Sequence, residues 1–161
     1  MKVVFLDRDG IINVERGEYT FKIQDLKIVP DLLESALLFY NAGYKFIIIS
    51  NQGGISKGIY SKKEVLQIDN ILRKTFVEKG MDILDSFYCP HYDEIENCLC
   101  RKPKSLMLEK ALAKYDLQIE DTLFIGDSER DRKAGESLSI KSYLVKANSS
   151  ILKLSNTILN E

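Results

Sequence analysis

The chain has 161 residues, with 23 Lys and Arg against 24 Asp and Glu, so its formal net charge is -1. That length suits about one domain, the 45% hydrophobic and 29% charged residues exclude wholesale disorder, and the near-zero charge argues against a dedicated nucleic-acid binder. Three cysteines cannot form a disulfide scaffold in a chain this long.

Met1-Lys2 precedes an apolar run of only four residues, Val3–Leu6, which Asp7, Arg8 and Asp9 stop. A signal-peptide core needs about 7–15 apolar residues and a membrane span about 20. The expected location is therefore the cytoplasm, with no membrane partner. Val3–Leu6 reads as the first strand. Leu33, Ala36, Leu37 and Tyr40 then follow a helical period that Gly43 ends. Lys45–Ile49 is the second strand, continuously apolar from Phe46, as a strand covered on both faces should be. Ser61 and Glu64 form a capping box for a helix reaching toward Gly80, with Val65, Ile68, Leu72 and Phe76 as its stripe. Ile83–Tyr88 is a third strand. A helix follows Pro103, with Leu108, Ala111, Leu112 and Tyr115 on one face. Thr122–Ile125 and Ser142–Val145 complete the strands, a helix over Glu129–Ser137 lies between them, and the tail from Ser150 reads as a last helix. This alternation implies an α/β fold with a doubly wound, Rossmann-like parallel sheet and helices on both faces. No repeat, low-complexity tract or linker interrupts it, so residues 1–161 read as one domain.

In such sheets ligands bind beyond the carboxyl ends of the strands. The first strand ends in Asp7-Arg8-Asp9-Gly10, the second in Ser50-Asn51-Gln52-Gly53-Gly54, and the fourth in Gly126-Asp127-Ser128, with Asp131 one turn further on. Side chains two apart share a face of an extended chain, so Asp7 and Asp9 can point into one crevice. Singly, each aspartate reads as a cap or turn residue. Asp7, Asp9 and Asp127 together would repel one another unless a cation sits among them, and hard oxygen ligands select Mg²⁺.

Phe5-Leu6-Asp7-Arg8-Asp9-Gly10, Ser50-Asn51-Gln52, Arg101-Lys102-Pro103 and Gly126-Asp127, in that order, resemble the motifs of the haloacid-dehalogenase-like (HAD) phosphohydrolases. The resemblance spans residues 5–131. It implies Asp7 as nucleophile, forming an aspartyl-phosphate, and Asp9 as the acid that protonates the leaving oxygen and then the base for the hydrolytic water. It implies Mg²⁺ held by Asp7, Asp127 and the backbone carbonyl of Asp9. The Ser50 hydroxyl and Lys102 would bind the transferring oxygens, a role that suits a hydroxyl and a point positive charge.

Cys89, His91, Cys98 and Cys100 hold every cysteine and the sole histidine within residues 89–100. Three thiolates and one imidazole make a closed, structural zinc site. The alternatives are buried thiols beside a surface histidine, or a nucleophilic Cys/His pair. The polar, loop-like segment between His91 and Cys98 is a poor place to bury thiols, and a nucleophilic pair leaves two cysteines idle. Because Cys100 directly precedes Arg101-Lys102, the expected role of Zn²⁺ is to brace that wall.

The zinc loop narrows the resemblance to a HAD branch without a cap domain, the branch of heptose-bisphosphate and histidinol-phosphate phosphatases. Asn51-Gln52-Gly53-Gly54-Ile55-Ser56-Lys57-Gly58 and the segment from Ile12 to Tyr19 tilt toward the heptose side, as does a chain ending without an appended dehydratase domain. The expected activity is removal of the 7-phosphate of D-glycero-D-manno-heptose 1,7-bisphosphate. The alternatives are histidinol phosphate as substrate, or a catalytically silent zinc-stabilised binding domain. The resemblance assigns substrate binding to Glu15, Arg16, Gly17 and Glu18, to Ser50, Asn51, Gln52 and Gly53, and to Arg101 and Lys102. Arg101 would grip the second phosphate with its fork. Ile11 stands where the superfamily has threonine. Ser128 stands where the heptose branch has lysine, and Arg130 or Arg132 is the candidate for the missing charge. The expected partner is a small phosphorylated metabolite, a sugar bisphosphate, with no nucleic acid, and the expected state is a monomer.

Overall fold

The computed structural model describes residues 1–160. Five strands, β1 (Lys2–Leu6), β2 (Tyr44–Asn51), β3 (Ile83–Cys89), β4 (Thr122–Gly126) and β5 (Lys141–Leu144), form one parallel sheet in the order β3-β2-β1-β4-β5. Its helices are α1 (Leu32–Asn41), α2 (Lys62–Val77), α3 (Leu106–Tyr115), α4 (Glu129–Glu136) and α5 (Leu152–Leu159). No helix among the described residues is long and apolar enough to cross a membrane.

β1 is the central strand, pairing Val3–Leu6 with Lys45–Ile48 on one side and with Thr122–Ile125 on the other. The period of two divides its side chains between two cores. Val4 and Leu6 join Phe46, Ile48 and Ile125 under α1, α2 and α5, which contribute Phe39, Leu72 and Ile158 among others. Val3 and Phe5 join Ile47, Ile49 and Phe124 under α3 and α4, with Leu108, Ala111 and Ala134. Burial on both faces explains why β1, β2 and β4 are near-continuous apolar runs.

The expected elements are all present, with boundaries displaced by one or two residues. The Ser61–Glu64 capping box is made as the sequence predicts, with Ser61 N–H donating to Glu64 Oε2 (2.8 Å) and Lys63 N–H to Ser61 Oγ (3.2 Å). The buried stripe of α1 differs from expectation. Leu32, Ser35, Ala36 and Phe39 face inward, while Leu37 is exposed. The segment Leu32–Tyr40 is apolar nearly all round, so two overlapping stripes satisfy the same period, and packing against α5 and β2 selects one.

The chain leaves β1 toward β2 and β3, then returns to place β4 on the other side of β1. The order therefore reverses between β1 and β4, and a crevice opens at their carboxyl ends. Asp7 and Asp127 follow those two strands.

Candidate active site

The crevice is a cavity of about 620 Å³ lined by six carboxylates (Asp7, Asp9, Glu15, Glu18, Asp127, Asp131) and four cations (Lys57, Arg101, Lys102, Arg130), with Gly17, Tyr19, Asn51, Gly53, Tyr92 and Ser128. Lys102 lies at its floor, 2% exposed. Its Nζ contacts Asp7 Oδ1 (2.9 Å), the Ile49 carbonyl (2.8 Å) and Asp131 Oδ1 (2.5 Å). The backbone of Lys102 is clamped by one side chain. Its N–H donates to Asn51 Oδ1 (3.0 Å), and its carbonyl accepts from Asn51 Nδ2 (3.1 Å). Asn51 ends β2, so the sheet itself sets the height of the lysine.

Asp7 Oδ1 accepts from both Lys102 Nζ and the Arg8 N–H (2.7 Å), while Oδ2 accepts no hydrogen bond among the described residues. One oxygen fixes the carboxylate and the other is left unengaged. Burial, reinforced by Asp131 and Asp127 and opposed by Lys102, pushes the Asp7 carboxyl up to about 7. Burial and then Asp131 push Asp127 up to about 6. Burial acts in the same sense on Asp131, but the Lys102 charge and the Lys102 and Ser128 hydrogen bonds outweigh it and hold that carboxyl low.

Carboxylate oxygens of Asp7, Asp127 and Asp131 lie within 4.8 Å of one another. Asp131 thus joins the two expected carboxylates, while the contribution expected of Asp9 is its backbone carbonyl and not its carboxylate. Asp9 lines the cavity, and its carboxylate accepts from Arg8, Asn13 and Gln52. Asp131 satisfies Lys102 and caps α4, accepting from the Asp127 and Ser128 N–H groups and from Ser128 Oγ (3.2, 3.0 and 2.8 Å). Asp127 has no cationic partner among the described residues. Gly10 approaches it so closely, at φ +91°, that a Cβ would stand 1.9 Å from Asp127 Oδ2. The hard oxygens, the elevated Asp7 and Asp127 and the excess of carboxylates all suit a divalent cation between Asp7 and Asp127.

These shifts carry a sign. An acid held above its unfolded value binds more protons when folded, so Asp7 and Asp127 withdraw stability as pH rises from about 4 toward 7. In magnesium-free buffer at pH 7.5, Asp127→Asn should melt about 2–4 °C above the parent, the shift that ~1 kcal/mol produces in a chain of this size. At pH 5 the gap should shrink, and Mg²⁺ should reverse it at pH 7.5. An equal gap at both pH values in thermal unfolding would refute the assignment.

Of the expected substrate residues, Glu15, Gly17, Glu18, Asn51, Gly53, Arg101 and Lys102 line the cavity and three do not. Arg16 pairs with Asp25 (3.0 Å) instead. Ser50 and Gln52 are both 2% exposed, and Gln52 Nε2 donates to Ser50 Oγ (2.6 Å) and to Asp9 Oδ2 (3.1 Å). Arg101 is neutralised by Asp93 (Nε to Oδ1, 3.2 Å) and donates to the His91 carbonyl (2.9 Å). Of the two candidates for the charge missing at Ser128, Arg130 lines the cavity, whereas Arg132 pairs with Glu129 and Glu136 on the surface of α4. Asn148 pins the Glu15 backbone with two hydrogen bonds (2.6 and 2.9 Å), a tether spanning most of the sequence with no local signal.

Beyond Gly53 the wall passes to the cysteine–histidine loop. Cys89 Sγ lies 3.0 Å from Cys100 Sγ, 3.7 Å from Cys98 Sγ and 3.4 Å from His91 Nδ1, which is 3.2 Å from Cys100 Sγ. All three cysteines are free. Bond lengths of ~2.3 Å to sulfur and ~2.0 Å to nitrogen give tetrahedral edges of about 3.5–3.7 Å, so the donor set fits zinc with small adjustment.

The HAD-hydrolase-like family model matches residues 99–151. The chain is 40% identical to the D-glycero-alpha-D-manno-heptose-1,7-bisphosphate 7-phosphatase of Photorhabdus laumondii, over 91% of this chain and 83% of that one. The chain belongs to the heptose-1,7-bisphosphate 7-phosphatase family. A relative named for the beta anomer, from Helicobacter pylori, is 36% identical over 89% of this chain and 83% of its own. The crystal structure of the D,D-heptose 1,7-bisphosphate phosphatase of B. bronchiseptica, complexed with magnesium and phosphate, matches with a TM-score of 0.90 at 21% identity, covering 99% of each chain. At that identity the likeness establishes the fold. The relatives of this 7-phosphatase family thus bear out the superfamily, the doubly wound architecture and the phosphomonoesterase class expected from the motifs.

Proposed function

We propose that the chain removes the 7-phosphate of D-glycero-D-manno-heptose 1,7-bisphosphate by way of an aspartyl-phosphate on Asp7. The observation that carries this reading is an Asp7 carboxylate fixed through Oδ1 by a buried lysine, with Oδ2 unengaged, in a chain of the 7-phosphatase family. Asp7 Oδ2 attacks phosphorus while the Lys102 ammonium, beside it, offsets charge on the transferring oxygens. As the bond from phosphorus to the sugar oxygen breaks, its electron pair stays on that oxygen, which takes the proton carried by Asp9. Asp9 then accepts a proton from the water that hydrolyses the acyl phosphate. Mg²⁺ held by Asp7 and Asp127 would supply the positive charge that lets a phosphate dianion approach these carboxylates.

The second phosphate is met by Lys57 and Arg130, which pair with no carboxylate among the described residues, together with Arg101, which lies with Lys57 over the Tyr92 ring. Lys57 Nζ rests 3.6 Å from the Tyr92 ring centroid. Glu15 and Glu18 face the sugar hydroxyls. The four donors Cys89, His91, Cys98 and Cys100 would hold structural Zn²⁺ with no position open for a catalytic water. The cytoplasm remains the expected location.

The test is a substrate profile with magnesium over both anomers of the heptose bisphosphate, heptose 7-phosphate and histidinol phosphate. We expect kcat/KM on one bisphosphate anomer to exceed that on histidinol phosphate by about 10²-fold or more, since a second phosphate adds charge-assisted contacts worth several kcal/mol. A preference for histidinol phosphate would overturn the substrate assignment.

A further inference from the structure

Asp9 is held from behind by three side chains. Arg8 Nε donates to Oδ2 and Nη2 to Oδ1 (both 3.2 Å), Asn13 Nδ2 donates to Oδ1 (2.9 Å), and Gln52 Nε2 to Oδ2 (3.1 Å). Two of these lead to the same place. Arg8 is 1% exposed and lies outside the cavity lining, and its Nη2 also donates to the Thr20 carbonyl (2.9 Å). Thr20 closes the loop that presents Glu15, Glu18 and Tyr19 to the cavity. Gln52 accepts from the Tyr60 hydroxyl through Oε1 (2.6 Å), which leaves the two Nε2 hydrogens for Asp9 and Ser50. The Tyr60 ring is stacked on Phe21 (5.1 Å) and edge-on to Tyr19 (5.6 Å), both on that loop. Opposite stands Gly54, where a Cβ would come within 2.1 Å of the ring.

We propose that Arg8 and the Tyr60–Gln52 pair are positioning residues that tie the Asp9 carboxyl to the sugar-facing loop, aiming it at the leaving oxygen of a substrate held by that loop. This rests on the reading of Asp9 as the general acid. Burying a guanidinium this completely is costly, and Arg8 Nη1 finds no partner among the described residues, so packing alone does not account for the residue. Alignment of the acid matters when the electron pair of the broken bond stays on a strongly basic sugar oxygen. It matters little for p-nitrophenolate, which departs as a stable anion without the proton. A purely structural contribution has no such dependence on the leaving group.

The experiment compares kcat/KM on the heptose bisphosphate and on p-nitrophenyl phosphate for Arg8→Met, Tyr60→Phe and Asp9→Asn, with circular dichroism as the check on folding. This ratio reports only the steps through the first bond cleavage, so the later role of Asp9 as base does not enter. Tyr60→Phe keeps the ring and its stacking, which preserves the test should Arg8→Met fail to fold. General acid catalysis contributes about 10²–10⁴-fold, so misaiming it should cost Arg8→Met about 10–100-fold and Tyr60→Phe about 3–10-fold on the heptose substrate, with less than about 3-fold lost by either on the aryl ester. Equal losses on both substrates, or no loss on either, for folded Tyr60→Phe overturns the proposal. Asp9→Asn separates the two levels. A uniform loss in that variant removes the general-acid reading itself, whereas a selective loss there beside uniform losses in the other two removes only the positioning roles.

Discussion

Asp7→Asn should reduce kcat by about 10⁴-fold or more while leaving the fold intact, because losing the nucleophile of a covalent mechanism removes a step and not merely a contact. The carboxamide is the same size as the carboxylate. Its oxygen can still accept from Lys102 Nζ and the Arg8 N–H, the two bonds that fix the side chain now. What it lacks is a second oxygen able to form an acyl phosphate. Since burial and the neighbouring carboxylates push Asp7 up to about 7, the neutral isostere also relieves repulsion at neutral pH. The variant should therefore melt at or above the temperature of the parent in magnesium-free buffer. Steady-state kinetics, thermal unfolding and an acid-quench search for phosphorylated Asp7 in the parent form the set of measurements. Activity within 10-fold of the parent, or a phosphoryl group trapped on another residue, would rule out Asp7 as nucleophile.

How much of this site was readable before the fold was known depended on whether the signal was local. Asp7 and Asp127 were readable because each follows an apolar run with strand character, and the alternation of elements says that such runs end on one edge. Lys102 was readable only through its motif, since nothing near Pro103 says that the lysine will be clamped by an asparagine at the end of β2. Asp131 lay in view, one turn past Asp127, yet its importance comes from Lys102, a partner far away in sequence. Its capping box with Ser128 is a local signal that explains why α4 starts there, without revealing what the free oxygen does.

Arg8 shows the opposite limit. In sequence it is a charge that stops an apolar strand. In the fold, strand alternation that sends Asp7 and Asp9 toward the cavity sends Arg8 away from it, among Asp9, the Thr20 carbonyl and the field of buried Asp69. No window of neighbouring residues announces a buried guanidinium, because its partners come from three different segments. Gln52 was misplaced for a related reason. Its neighbours Asn51 and Gly53 do reach the cavity, but a residue between two lining positions on an extended chain turns the other way.

Stripping the proposed zinc, by chelation or by Cys100→Ser, should lower kcat/KM by about 10²-fold with little loss of helix or sheet signal, the penalty expected when substrate-binding groups shift by ~1 Å. Cys89 ends β3 and is fully buried, Cys98 and Cys100 pack partly buried against the edge of the same core, and residues 93–97 between them are exposed, so the sheet is expected to keep its fold without the metal. The two residues after Cys100 differ in how firmly they are otherwise held. Lys102 keeps the Asn51 clamp and the Ile49 carbonyl whatever happens to the loop. Arg101 is secured mainly by the loop itself, through the Cys98 sulfur (N–H to Sγ, 3.4 Å), the His91 carbonyl and Asp93. Loss of zinc should therefore appear chiefly as a raised KM for the bisphosphate, with kcat falling less and p-nitrophenyl phosphate least affected. Metal analysis at about one zinc per chain, kinetics before and after chelation and far-UV circular dichroism decide the matter. If kcat collapses at unchanged KM, the metal braces Lys102 and not Arg101. If the circular dichroism signal is lost together with activity, the loop belongs to the scaffold.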